Sequence, residues 1–148
     1  MTLELFGVTD EARLAEAIAI RFAVFVDEQG VPAEEELDEH DRDDADAVHA
    51  LVRAADGRAV AAGRYYRADA QTAQVGRMAV RREARGIGAG ALLLDGLLAR
   101  ARARGFVRAA LNAQDHAVGF YARAGFGAAG PTMLECGIVH QPMVREPL

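Results

Sequence analysis

The sequence predicts a mixed α+β fold with its elements in the order β-α-β-β-β-α-β-α-β-β. Three observations carry that expectation. Short runs of alternating apolar and polar residues recur along the chain and break at Gly, Asp and Pro. Two longer stretches change to helical spacing. Three strand-like runs follow one another before the glycine-rich turn, a pattern that a six-strand doubly wound sheet does not produce. At 148 residues, with 51% apolar and 26% charged side chains, the chain has the size and composition of one globular domain, residues 1–148, that buries a core without metals or cross-links.

Thr2 to Val8 alternates and reads as a strand. Thr9 or Asp10 then caps a helix carrying Leu14, Ile18, Phe22 and Phe25 on one face and fading near Gln29, ahead of Gly30 and Pro32. Glu34 to Ala47 holds too few apolar residues for a core element and reads as a loop with one turn of helix. Val48 to Arg53 and Ala59 to Arg67 form a hairpin about Ala55-Asp56-Gly57-Arg58. A polar connection, Ala68 to Thr72, leads to a strand from Ala73 to Val80. Beyond the turn Arg85-Gly86-Ile87-Gly88-Ala89-Gly90 a helix of about five turns buries Ile87, Leu92 to Leu94, Leu97 and Leu98 and stops at Gly105. Phe106 to Ala113 is a strand, Gln114-Asp115 opens a short helix through Arg123, and Phe126 to Ala129 starts a strand broken by Gly130-Pro131. Met133 to Val144 closes the chain as one or two strands around Gly137.

Composition removes several classes of function. Cys136 is the sole cysteine, so neither an intramolecular disulfide nor a cysteine metal site is expected, and no metal is called for elsewhere. No apolar run is long enough to span a bilayer and the N-terminus has no leader pattern, which reads as a cytoplasmic protein without membrane partners. A net charge of −5, with no interleaving of Arg and aromatic residues, argues against nucleic acid. Every basic residue is Arg, none Lys. Charge is segregated: Asp27 to Asp46 holds eleven carboxylates against Arg42 alone, whereas Arg77 to Arg108 holds eight arginines against Glu83 and Asp95. The acidic stretch is either a solvated loop or a field that attracts a cationic substrate.

The glycine-rich turn is the most informative stretch. Such a turn feeding a helix leaves backbone N–H groups unpaired with the positive end of the helix dipole behind them, which suits phosphate. A nucleotide triphosphate loop would need Lys and Ser or Thr after the last glycine, where Ala91 and Leu92 stand. Gly86, Gly88 and Ala91 satisfy a dinucleotide fingerprint, but Arg81 to Arg85 separate it from its strand and no acidic residue ends the next strand.

Arg85-Gly86-Ile87-Gly88-Ala89-Gly90 also matches the pattern R/Q-x-x-G-x-G/A, and together with Val75 to Val80, Leu111-Asn112-Ala113-Gln114 and Phe120-Tyr121-Ala122-Arg123-Ala124-Gly125-Phe126 it resembles the GCN5-related N-acetyltransferases, the GNAT family. The element order agrees along essentially the whole chain, and the resemblance implies a central, mostly antiparallel twisted sheet flanked by helices. Arg21 to Val26 with Glu28-Gln29-Gly30-Val31-Pro32, and Glu135 to Met143, are similar to a bacterial subgroup with the pattern R-x-x-V-F-V-x-E-Q-x-V-P.

The resemblance implies acetyl-CoA as co-substrate and transfer of acetyl to a primary amine, on a small molecule, a peptide or a protein, by direct attack on the thioester. It places the coenzyme on Arg85, Gly86, Ile87, Gly88, Ala89 and Gly90, on the backbone of Met78, Ala79 and Val80, and beside Asn112, Gln114 and Tyr121. Many members carry Asn where Gln114 stands here. The same resemblance makes Tyr121 the general acid for the departing thiolate. Glu28, His49 and His140 are the candidate bases, with Glu135 close to the last of these in sequence. It also allows a homodimer through the late strands. The alternative is a non-catalytic acyl-CoA sensor or interaction module of the same fold, with a dinucleotide-dependent oxidoreductase third.

Overall fold

Alternation builds the strands. In the computed structural model, which describes residues 1–148, they are β1 (Thr2–Phe6), β2 (Val48–Arg53), β3 (Ala59–Asp69), β4 (Thr72–Val80), β5 (Arg108–Gln114), β6 (Gly127–Ala128), β7 (Met133–Glu135) and β8 (Ile138–Arg145). They form one sheet in the order β1-β2-β3-β4-β5-β8-β6, with β7 attached to β8. Only β4 and β5 run parallel; every other pairing is antiparallel. This is the expected α+β sheet. Met133 to Val144 resolves into two strands joined at Cys136 and Gly137, both at positive φ (50° and 75°), the backbone that a two-residue hairpin turn requires.

Four α-helices flank it: α1 (Glu11–Arg21), α2 (Ala33–Glu36), α3 (Ala89–Ala103) and α4 (Val118–Arg123). Asp10 caps α1 by accepting the Arg13 N–H. One face of the sheet carries α1, with Leu14, Ala17 and Ile20 packed on Phe6, Leu51, Ala62 and Ala79. The other carries α3 and α4, with Leu93, Leu94, Leu97 and Tyr121 packed on Val48, Ala50, Val75, Leu111 and Met143. Each such aliphatic side chain contributes about 1.5–3 kcal/mol on burial. Two glycines let α3 approach this closely. A Cβ at Gly63 would lie 2.6 Å from Met78 Sδ and 3.1 Å from Leu93 Cδ2, and one at Gly96 would run into Leu3.

Three expectations from sequence need correction. The connection Ala68 to Thr72 is mostly strand, with only Ala70 and Gln71 left as the turn; the Asp69 carboxylate accepts the Gln71 N–H and Arg67 donates to the Ala70 carbonyl, so local side chains make it tight. The long helix begins at Ala89 and runs for 15 residues, leaving Ile87 in the turn, 56% exposed. Glycine at positive φ on either side (82° at Gly86, 91° at Gly88) turns Ile87 away from the core.

The acidic stretch is the largest correction. It is neither a plain loop nor simply solvated, because Glu36 and Asp41 are buried with Arg21 and Arg64. Arg21 donates to Glu36 Oε2 at 2.9 Å and to both Asp41 oxygens at 2.7 and 2.9 Å. Arg64, from β3, donates to Asp41 at 2.8 Å and to both oxygens of Asp38 at 2.7 and 2.6 Å. A capping box about Asp38 and Asp41 shapes the short 3₁₀ turn Glu39–Asp41. Burial alone would raise the Asp41 carboxyl, but the hydrogen bonds and charge of Arg21 and Arg64 outweigh it and hold the group well below the usual carboxylate range.

The sign of that shift fixes a pH dependence. A carboxylate whose folded pKa is depressed contributes stability that is fully present above its unfolded value, about 3.9 for Asp, and is lost as pH falls below it. Denaturant midpoints should therefore fall steeply below about pH 4. Asp41→Asn should lower stability at neutral pH by about 3–5 kcal/mol, since it strands buried guanidinium charge, and should flatten the acid limb. An acid limb as steep as in the parent chain would remove Asp41 from this role.

Candidate active site

The parallel ladder between β4 and β5 is short. It pairs Thr72 with Arg108, Ala73 with Ala109 and Gln74 with Ala110, and there it stops. Beyond it β4 turns away, because β3 sets three residues, Ala62 to Arg64, against four of β4, Gly76 to Ala79. This bulge puts Arg77 at φ 51°, a conformation uncommon for a non-glycine residue. β5 meanwhile continues along β8 from Leu111 to Gln114. The two strands part in a V, and a cleft of about 750 Å³ opens between them.

Each wall brings a different chemistry. On the α3 face, Arg85 folds back to donate to the Val80 carbonyl at 3.0 Å. The N–H groups of Gly86, Ile87 and Gly88 have no backbone acceptor, and those of Ala89, Gly90 and Ala91 begin a helix with nothing upstream to receive them. Gly90 and the Tyr121 ring line the cleft on this side. Tyr121 packs edge-on against Phe120 and Phe126, and burial pushes its hydroxyl up to about 12. The phenol keeps its proton at any ordinary pH.

Strand alternation sends Leu111, Ala113 and Met143 to the α3 face and therefore Asn112, Gln114 and His140 to the other. Asn112 donates to Glu135 Oε1 at 3.0 Å. Gln114 and Gln29 exchange two side-chain amide hydrogen bonds, 2.8 and 3.1 Å, across the cleft. Gln29 reaches there because α1 continues into a π-helical run, Phe22–Glu28, closed by bonds from Gln29 N–H to the Val24 carbonyl and from Val31 N–H to that of Phe25. Wider turns of this kind recur at functional sites.

The candidate bases separate cleanly. Glu28 lines the cleft but forms a two-bond pair with Arg85 at 2.8 and 2.9 Å. The Arg85 hydrogen bond holds the Glu28 carboxyl below its usual value, which makes it a poor proton acceptor. His49 does not reach the cleft: it is 1% exposed, stacks on Phe6 and bonds the His40 carbonyl through Nε2 at 3.0 Å. Burial depresses its pKa. Its strand faces the core on both sides, which alternation in the sequence could not show. His140 does line the cleft, and its Nδ1–H donates to the Ile138 carbonyl at 2.8 Å.

Residues that sequence reasoning missed are Gln29, Glu35, Arg64 and Arg77, all of which line the cleft. Arg77 reaches Glu36 at 3.1 Å and Asp38 at 3.4 Å, tying the acidic segment to the bulge. An arginine inside the apolar run Ala59 to Tyr65 was the available signal, since a buried guanidinium needs carboxylates, and the nearest supply lies in the acidic stretch.

A cleft that passes through a split sheet, from unpaired loop amides to a carboxylate-lined wall, is shaped for group transfer between an elongated anionic donor and a second substrate. A family model for the acetyltransferase (GNAT) domain matches residues 11–147, and the chain belongs to that family. It is 35% identical to the uncharacterized N-acetyltransferase YjcF of Bacillus subtilis over 142 residues, covering 93% of this chain and 95% of that one. Among solved structures, ElaA of Escherichia coli superposes with a TM-score of 0.86 at 27% identity over 98% of this chain and 99% of its own. An acyl-CoA N-acyltransferase of Pseudomonas aeruginosa gives 0.85 at 28% identity, with the same coverage of 98% and 99%.

Proposed function

We propose that this acyltransferase-family chain is an N-acetyltransferase that moves acetyl from acetyl-CoA to a primary amine by direct attack on the thioester. The observation that carries the reading is the V between β4 and β5, with loop amides at one mouth and a protonated Tyr121 lining its wall. The amides from Gly86 to Ala91 receive the pyrophosphate, supported by the dipole of α3 and by Arg85, which holds Glu28 through Nη2 and keeps Nη1 for the anion. Backbone groups of Met78, Ala79 and Val80, left without a partner on the β5 side, receive the pantetheine arm and the thioester oxygen; donors fixed before reaction stabilise an oxyanion without reorganising. Gln114 can offer its amide to the arm by exchanging Gln29.

Two proton transfers complete the chemistry. Tyr121 protonates the departing sulfur. His140 takes the acceptor's proton, because Nδ1–H is committed to Ile138 and the free lone pair is on Nε2. An amine of pKa about 10.4 costs roughly 4.6 kcal/mol to neutralise at pH 7, so a placed base matters more than the acid.

Tyr121→Phe should lower kcat about 10²-fold in a thiol-release assay, with a small change in acetyl-CoA affinity; an unchanged kcat with every amine tried would exclude the acid role. His140→Gln should lower kcat/KM about 10²-fold with acetyl-CoA affinity unchanged, and an unaltered kcat/KM would point to another base. At the loop, Gly88→Asp places a negative charge among the amides, whereas Gly88→Asn tests the left-handed backbone without it. Calorimetry should show coenzyme A binding lost in the first and retained in the second, with both folded by circular dichroism. Equal binding in the two variants would refute the pyrophosphate assignment.

A further inference from the structure

The cleft is not electrically balanced. Five carboxylates line it, Glu28, Glu35, Glu36, Asp38 and Glu135, against three guanidiniums, Arg64, Arg77 and Arg85. Glu28 is matched by Arg85, Glu36 by Arg21 and Arg77, and Asp38 by Arg64. Glu35 and Glu135 remain. Their hydrogen bonds come only from uncharged donors: the Cys136 thiol donates a hydrogen bond to Glu35 Oε2 at 3.1 Å, and Asn112 donates to Glu135 Oε1 at 3.0 Å. One comes from α2 and the other from the β7–β8 hairpin, and they meet around Cys136.

A second observation is independent of these charges. His140 is 7% exposed, lines the same cleft, and has its Nδ1–H committed to the Ile138 carbonyl. Its Nε2 has no hydrogen-bond partner; the nearest charged atom, Glu135 Oε2, is 3.7 Å away. A ring that is nine-tenths buried but keeps one nitrogen open, with a free lone pair beside a carboxylate, is an acceptor set for an N–H-rich cation.

We propose that this half of the cleft is a subsite for a primary amine carrying a second positive charge, in its simplest form an alkyl diamine. The reacting ammonium sits between Glu135 and His140 Nε2, and the distal ammonium sits at Glu35. Two residual carboxylates match two cations, and a monoamine leaves one carboxylate uncompensated. The inference deepens the transfer reading and rests on it for the reaction. In that reaction the ammonium yields a proton to Nε2 and its nitrogen forms the C–N bond. The C–S bond breaks as sulfur takes the Tyr121 proton. The nitrogen's second surplus proton restores Tyr121 through solvent, and His140 releases its proton to water.

Binding and transfer are separable. Calorimetry on the full chain, with and without coenzyme A, compares linear α,ω-diaminoalkanes with monoamines of matched length. The best diamine should bind about tenfold tighter than its monoamine, and Glu35→Gln should bring it down to the monoamine value, with the fold confirmed by circular dichroism. Equal affinities for diamine and monoamine, or a preference that survives both Glu35→Gln and Glu135→Gln, would overturn the subsite. Diamine binding without thiol release from acetyl-CoA would instead refute the transfer reading and leave the subsite standing.

Discussion

The buried pairing of Arg21 and Arg64 with Glu36 and Asp41 is the constraint on which the site depends. Guanidinium and carboxylate charges taken out of water are stable only when they are paired, and here Arg21 meets Asp41 through two parallel bonds while Arg64 adds one more to Asp41 and two to Asp38. The consequence is spatial. An acidic segment with little apolar surface is fixed against β3 and β4, and that segment supplies the wall opposite the glycine-rich loop. Without the pairs, residues 33–46 would have no reason to pack and the V between β4 and β5 would open onto solvent.

A second constraint is the bulge at Arg77. It serves the cleft twice: it ends the pairing of β4 with β5, exposing strand backbone, and it aims Arg77 at Glu36 and Asp38. A left-handed arginine costs on the order of 1–2 kcal/mol, and the two ion contacts offset part of that. Strain and wall are therefore coupled, so a change in the acidic segment is felt at the bulge in β4. The Gln29–Gln114 exchange adds a neutral link across the same gap, between the π-helical end of α1 and β5.

Much of this was legible in the chain. Local signals are strongest where glycine and alternation act alone, so the order of elements along the chain and the glycine-rich turn Arg85 to Gly90 ahead of the long helix followed from residue patterns, whereas the order of strands within the sheet depends on pairings between distant segments. The failures share a physical cause. Ile87 was assigned to the core because helical spacing cannot register two left-handed glycines beside it. His49 was a candidate base because alternation assumes a strand with one wet face, and β2 has none. The acidic stretch was read by composition, which counts charges but not the partners that burial gives them. Glu28 was read without Arg85, which lies far along the chain and comes beside it only in the fold.

The segment held by those pairs has a further consequence for how the chain assembles. Its helical turns are short, α2 being four residues and the following 3₁₀ turn three, and too brief to persist in isolation. Its place in the fold depends on α1 and β3 presenting Arg21 and Arg64. Such a piece behaves as a local cooperative unit, separate from the sheet. Sequence change within it can redraw one wall of the cleft while the sequence of the strands and the glycine turn stays as it is.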